Sequence, residues 1–449
     1  MYQKILIANR GEIAVRIIRA CREMGIATVA VCSTADKESL HAQLADECIC
    51  IGSEKPKDSY LHMERILSAA VATGAQAIHP GFGFLSENTK FARMCRQCGI
   101  DFIGPSPEVI DQMGNKAEAR KTMMKANVPV IPGIKDALTD AKEAKLLAAQ
   151  IGYPVIIKAS AGGGGKGMRV AHSEKEFEDL FLMAQQESQK AFGDHQMYLE
   201  KYLGNARHIE IQILADQYGN TVHLGERDCS IQRKHQKMIE ESPAHFLSED
   251  TRKQMGEAAV RAAKAVGYYS AGTIEFLVDT DGSFYFMEMN TRIQVEHPVT
   301  EMVTGVDLIK QMICISAGET LPFSQEDIQL KGHAIECRIS AEDPEKQFMP
   351  CSGTIENLHL PGGKDIRIDS MLYQGYQVPP FYDSMLAKVI VHGETREEAI
   401  QKMRSALGEL IIEGITTNLD FQYELVGMKE YAQGNSAVIN KMLEERCKA

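Results

Sequence analysis

Residues 286–298, FMEMNTRIQVEHP, hold the densest set of reactive groups in the chain. Glu288, Asn290, Arg292, Gln294 and Glu296 recur two apart, and an extended strand turns alternate residues to one face. Met289, Ile293 and Val295 stand between them, so the spacing predicts a half-buried strand with a polar working face. A second strand, GTIEFLV at 272–278, lies just upstream, joined through Asp279-Thr280-Asp281-Gly282-Ser283. With Asp281-Gly282 as a two-residue hairpin turn, Thr280 faces Ser283, and counting outward sets Glu275 opposite Glu288. Two carboxylates so placed repel unless a cation lies between them. Glu275, Glu288 and Asn290 supply the oxygen donors that suit a hard divalent ion, Mg2+ or Mn2+, of the kind that also carries nucleotide phosphates. The plainer alternative is a solvated strand face that carries charge.

Further along the same logic, the apolar strand at 153–160 ends in Lys158 and runs into Ala161-Gly162-Gly163-Gly164-Gly165-Lys166-Gly167. A glycine loop between cations can wrap a polyphosphate, its backbone N–H groups pointing at oxygens. It is not a Walker A loop, which needs G-x-x-x-x-G-K-[ST]; the competing reading is a surface linker. The segment 197–203, MYLEKYL, reads either as a plain edge strand or as backbone that meets an adenine edge while Glu200 takes a ribose hydroxyl. Residues 208–214 alternate as a strand with His208 on the polar face. ERDCSIQRKHQK at 226–237 is too polar for a core, and Gln232, Arg233, His235 and Lys237 read as the lining of an anion site or as a solvated charged loop.

These candidates need elements to position them. The opening strand KILIA, a helix with Ile13, Ile17 and Ala20 on one face, and a strand at 28–32 ending near Asp36 predict a Rossmann-like α/β start. Its turn has Gly11 alone and lacks G-x-G-x-x-G, which argues against NAD. The glycine-punctuated loop at 77–85 follows a short strand and is placed to face a site. A basic helix at 116–126 and a crossing at 128–132 lead into the central region. From Gly332 a β-rich pattern begins and continues through Gly375 and Pro380, then helical patterns at 396–407 and 418–426. At 449 residues the chain has length for about three domains.

The formal net charge of −12 argues against nucleic acid as a main partner, since phosphate backbones want a basic face. No apolar run reaches the roughly 20 residues that span a bilayer, the N-terminus carries no signal-peptide pattern, and 11 cysteines without such a signal suggest free thiols in a reducing cytosol. Cys95 and Cys98 read as neighbours on one helix rather than as metal ligands.

Taken together, IANRGEIA, HPGFGFLSEN, YPVIIKASAGGGGKGMR, RDCSIQRKHQK, EMNTRIQVEHPVTE, GHAIECRI and FYDSMLAK, in that order, resemble biotin carboxylase, an ATP-grasp enzyme, over essentially the whole chain. The departures are mild: Phe82 stands where Tyr is frequent, Asn115 where Asp is, and Lys234 where Arg is. The resemblance implies a Rossmann-like N-terminal domain at 1–114, an ATP-grasp domain at 115–330 with a glycine-rich lid at about 131–203, and a β-rich α+β domain at 331–449. It implies that ATP phosphorylates bicarbonate to carboxyphosphate, which carboxylates the ureido nitrogen of biotin. Lys116, Lys158, Gly163, Gly164, Gly165, Lys166, Glu200, Lys201, Leu203, His208, Gln232 and His235 would surround the nucleotide, and Glu275, Glu288 and Asn290 would hold the divalent ions.

By the same resemblance Arg292, Gln294 and the N–H of Val295 receive bicarbonate, Lys237 stands beside the transferred phosphate, and Glu296 is the base. The alternative for Glu296 is an ion pair with Arg292 or Arg338. Arg338 would stabilise deprotonated biotin, beside Phe82. No Met-Lys-Met biotin-attachment site is found, so the resemblance implies a cytoplasmic subunit, a homodimer, that works with a biotin carboxyl carrier protein and a carboxyltransferase. Acetyl-CoA carboxylase is the expected assembly, with a two-subunit pyruvate carboxylase or another acyl-CoA carboxylase as the alternative. Another ATP-grasp ligase shares the lid and metal strand but leaves RIQVEHP with GHAIECRI unexplained, and a non-catalytic nucleotide-binding regulator leaves Glu296 and Arg338 without a task.

Overall fold

The computed structural model describes residues 1–134, 137–160, 167–204, 206–234 and 236–446. The N-terminal strands form a five-stranded parallel sheet with Lys4–Ile7 at its centre, flanked by Ala27–Ser33 and Ala77–His79, with Glu47–Gly52 and Asp101–Phe102 outermost. This doubly wound order agrees with the Rossmann-like expectation. Asp36, where a dinucleotide-binding acid would stand, accepts instead from Arg10 at 2.6 and 2.7 Å and from the Tyr60 hydroxyl at 2.6 Å. The acid is consumed inside the domain, in keeping with the absent glycine fingerprint.

A smaller unit follows. Val155–Ala159 lies between Met168–Ala171 and Met197–Lys201 in a three-stranded sheet. The helices Ala141–Ile151 and Glu174–Phe192 cover it, and Ala148, Val155, Ile157, Phe177, Phe181 and Leu199 close its own apolar core. The Lys158 strand is therefore built as expected, while residues 161–166, which include Gly163, Gly164, Gly165 and Lys166, lie outside the described residues.

The large sheet has eight strands, from Phe284–Asn290 and Ser270–Val278 through Arg207–Ala215, Thr221–Arg233 and Gln236–Ser242 to His333–Ser340, Met385–Gly393 and Ile366–Ser370. It runs without a break through position 331, because Gln236–Ser242 pairs with His333–Ser340, Glu240 facing Glu336. The helix Glu249–Ala265 covers the central strands, and Arg396–Glu409 covers the C-terminal ones.

The stretch 226–237 corrects an expectation. It lies mostly in two adjacent strands, and Glu226 and Arg227 are fully buried. The burial is stable because partners surround the guanidinium: Arg227 donates to Glu210 at 2.5 Å, Gln212 at 2.7 Å, Thr300 at 2.8 Å and Thr273 at 3.1 Å. A polar strand enters a core when its polar atoms are satisfied there.

Candidate active site

The hairpin of Ser270–Val278 and Phe284–Asn290 does set Glu275 opposite Glu288, with Ile274 opposite Met289. Nearer the turn the register shifts: Phe276 pairs with Phe286 and Val278 with Phe284, leaving Met287 as the extra residue of a β-bulge. The turn is also one residue longer than expected. The Asp279 N–H donates to the Ser283 carbonyl at 2.8 Å, and the Gly282 N–H to the Asp279 carbonyl at 3.0 Å. Thr280, Asp281 and Gly282 thus form a three-residue loop, with Gly282 at φ +85°, where a side chain is strained. The longer loop and the bulge cancel, so the carboxylates meet although the expected turn was one residue short.

The strand ends at Asn290, not beyond Glu296. The Thr291 N–H and hydroxyl turn away from the ladder to the Glu87 carboxylate, at 3.0 and 3.2 Å. Glu296 then stands at the N-cap position of the helix His297–Thr304 without a side-chain cap, and the first turn of that helix holds Pro298, a residue without a ladder donor. The two-residue period is broken, yet the side chains still converge. Arg292 reaches Glu87 at 2.9 Å, Gln294 at 2.8 Å and Asn290 at 3.2 Å. Asn290 and Gln294 each donate to Glu275, at 2.8 and 3.0 Å.

Lys237 is the hub. Its ammonium lies 2.6 Å from Glu210, 2.6 Å from Glu296 and 3.1 Å from Glu275. Burial works against that charge, but the three carboxylates hold the ammonium well above its usual range. Glu296 is 1% exposed and also accepts from Arg338 at 3.0 Å. Its burial alone would favour the neutral acid; Lys237, then Arg338 and Arg227, hold it well below the usual carboxylate range. Of the two ion-pair partners weighed for Glu296, Arg338 is present and Arg292 is engaged with Glu87 instead. An ionised carboxylate between two cations retains the charge state that a base requires.

A divalent cation fits the hairpin. Glu275 stays well below the carboxylate range despite burial, through Lys237 and His208, whose Nε2 is 2.6 Å away. Glu288 is pushed up by burial and by Glu275, with Lys116 opposing from 4.0 Å. The two carboxylates repel across the hairpin, and a hard cation between them would relieve the repulsion.

One cavity of about 1250 Å³ joins these groups. Ile131, Ile156, Leu277, Phe286 and Met287 give one end apolar walls, near Lys116, Lys158, Glu200, His208 and Gln232. Arg292, Gln294, Val295, Glu296, Lys237, Arg338 and Phe82 are also in its wall. Lys158 donates to Glu200 at 2.5 Å. Lys201 and Leu203 do not line the cavity; the Lys201 ammonium donates to the carbonyls of Gly152 and Tyr153 at 2.8 and 3.1 Å, and its N–H to Pro132 at 2.8 Å. His235 lies outside the described residues.

Four charged residues of this site were not singled out from the sequence. Glu210 had a signal, since it stands two residues from His208 on the same polar strand face. Glu87 lay inside the HPGFGFLSEN motif, but only the folded chain brings it to Arg292. Arg120, 3.5 Å from Glu200, lay in the expected basic helix. Glu240, which accepts from the Arg338 Nε at 2.7 Å and is pushed up to about 7 by burial against the pull of Arg338, had no signal that set it apart from Glu241 beside it.

Known proteins resemble this chain over nearly its whole length. Residues 1–110 match the biotin carboxylase N-terminal domain, 115–324 the carbamoyl-phosphate synthase L chain ATP-binding domain, and 336–444 the biotin carboxylase C-terminal domain. Biotin carboxylase 1 of Bacillus subtilis is 57% identical over 97% of both chains. The biotin carboxylase of Campylobacter jejuni, solved as a β-γ-ATP complex, superimposes with a TM-score of 0.92 at 52% identity over 97% of each chain. The biotin carboxylase domain dimer of Hydrogenobacter thermophilus 2-oxoglutarate carboxylase, in complex with MgADP, ADP and bicarbonate, gives 0.90 at 51% identity over 97% of this chain and 96% of that one. The chain belongs to the biotin carboxylase family of ATP-dependent ligases.

Proposed function

We propose that the chain carboxylates biotin held on a separate carrier protein, using ATP and bicarbonate through carboxyphosphate. The observation that carries the reading is Glu296 between Lys237 of the strand Gln236–Ser242 and Arg338 of the strand His333–Ser340, all three in the cavity wall. The expected units, 1–114, 115–330 with a lid at about 131–203, and 331–449, all contribute walls to that cavity. Lys116, Lys158, Glu200, His208 and Gln232 hold the nucleotide, with Gly163–Lys166 and His235 expected beside it. Glu275, Glu288 and Asn290 would hold Mg2+ or Mn2+, which would supply charge neutralisation for the phosphates.

Arg292 offers a planar fork to bicarbonate, with Gln294 and the Val295 N–H beside it. Glu296 takes the bicarbonate proton, so the oxygen can attack the γ-phosphorus as its bond to the departing ADP breaks, and Lys237 offsets the charge growing there. Carboxyphosphate then gives up its carboxyl group and releases phosphate, which takes the ureido N–H proton of biotin, while Arg338 stabilises the ureido oxygen of the deprotonated ring against the aromatic wall of Phe82. Closure of the lid excludes water from the acyl phosphate.

The family relationship supports a cytoplasmic subunit that pairs as a homodimer and works with a biotin carboxyl carrier protein and a carboxyltransferase, as in acetyl-CoA carboxylase. The same half-reaction would serve a two-subunit pyruvate carboxylase or another acyl-CoA carboxylase, since the residues named act before the acyl acceptor is met. Among the described residues no helix is long and apolar enough to cross a membrane. The test is Arg338→Gln: biotin carboxylation should fall about 100-fold or more, while ATP cleavage driven by bicarbonate falls far less. Equal loss of both would move Arg338 to the phosphoryl-transfer step.

A further inference from the structure

Lys388 has no exposed surface and does not line the cavity, so it touches no substrate. It lies in the strand Met385–Gly393 directly opposite Arg338, on the same sheet face. Its ammonium donates to the Val295 carbonyl at 2.7 Å and lies 3.2 Å from the Glu12 carboxylate and 4.0 Å from Asp369. Glu12 belongs to the helix Gly11–Glu23 of the N-terminal unit. A single buried cation therefore joins the first helix, the C-terminal sheet and the turn between Gln294 and Glu296.

Burying an unshared ammonium is costly, and here three groups from three parts of the fold share it. The bond to Val295 has the most direct chemical consequence. That carbonyl belongs to the peptide linking Val295 to Glu296, so fixing it fixes the direction in which the carboxylate leaves the turn. Without a donor the carbonyl would be an unsatisfied buried acceptor and the peptide would rotate to find one.

We propose that Lys388 is a positioning residue for bicarbonate, clamping the Val295–Glu296 peptide so that Gln294, the Val295 N–H and the Glu296 carboxylate face one bound anion. The proposal rests on the reading that 292–296 receive bicarbonate. It makes the docking of the N-terminal helix against the C-terminal sheet a condition for a well-formed anion site, since the clamp is held from both sides.

The test is steady-state ATP cleavage by the full chain, with bicarbonate and ATP varied separately, for the parent and Lys388→Met. A second variant, Glu12→Met with Lys388→Met, replaces the buried pair with apolar groups of similar shape, a change that proteins often tolerate. The expected result in both is a bicarbonate KM raised about tenfold or more, with the ATP KM within about twofold of the parent. A fall in kcat with both KM values unchanged, or kinetics like the parent's, overturns the proposal. Failure of both variants to fold assigns Lys388 to stability alone and overturns it too. A parent enzyme whose ATP cleavage ignores bicarbonate would instead remove the underlying reading of 292–296.

Discussion

The two large sheets bury opposite chemistries. The parallel N-terminal sheet is packed on one side by Leu6, Val29, Val31 and Ile78 and on the other by Ile5, Ile7, Ile13 and Ile17. Its buried pair, Arg10 with Asp36, is closed: two nitrogens meet two oxygens, and Tyr60 adds a third donor. The eight-stranded sheet buries Glu210, Glu240, Glu275 and Arg227, and the two cations that meet Glu296 are shared rather than matched. Lys237 serves three carboxylates and Arg338 serves two. A closed pair gains nothing by changing partner, whereas a shared cation can release one carboxylate to a substrate anion without being stranded. The first arrangement builds a scaffold; the second builds a site.

The difference breaks most sharply at Glu296. Glu296→Gln should lower bicarbonate-dependent ATP cleavage by about 10²- to 10⁴-fold with only a small fall in Tm. Lys237 keeps Glu210 and Glu275, and Arg338 keeps Glu240, so neither cation is left alone. In the scaffold the balance should invert. Leu6→Ala, at a fully buried position, should cost about 2–5 kcal/mol of stability, read by denaturant unfolding, with kcat/KM per folded molecule unchanged. If Leu6→Ala instead altered KM for bicarbonate, the two sheets would not be separable in this way.

A smaller effect sharpens the metal assignment. Glu288→Gln should raise the Mg2+ concentration for half-maximal ATP cleavage about tenfold, and an unchanged Mg2+ requirement would remove Glu288 from the cation site. Smallest is a pH effect to which the scaffold contributes through two buried histidines. Burial lowers His41 to about 4 and His79 to about 3, below the value of about 6.5 of an unfolded chain. Between those values the unfolded state binds more protons, so stability rises with pH. This contribution is full above about 6.5 and is lost as pH falls through about 4. Thermal unfolding followed over that window should show the decline, and His41→Gln should make it shallower.

Much of the site could be read from residue type and spacing because those signals are local. Lys158 at the end of an apolar strand, and Glu275 with Glu288 across a hairpin, follow from period and composition. That the carboxylates meet was legible, but the route was not: a bulge at Met287 and a three-residue loop depend on how the hairpin packs, and neither leaves a mark in strand alternation. The turn after Asn290 was hidden for a similar reason. Glu87, 204 residues away from Thr291, pulls the backbone off the ladder, and no local pattern reports so distant a partner. The burial of 226–237 was misjudged because a polar strand is costly only when unpaired, and the partners Gln212, Thr273 and Thr300 come from three other segments.

The most direct test is transfer of label from 14C-bicarbonate to free biotin by the isolated chain with ATP and Mg2+, measured beside ADP release. The account predicts acid-labile label on biotin, with ADP formed in at least an equal amount, and both abolished in Glu296→Gln. ADP formation with no label on biotin, at any biotin concentration and with carrier protein supplied, would contradict it.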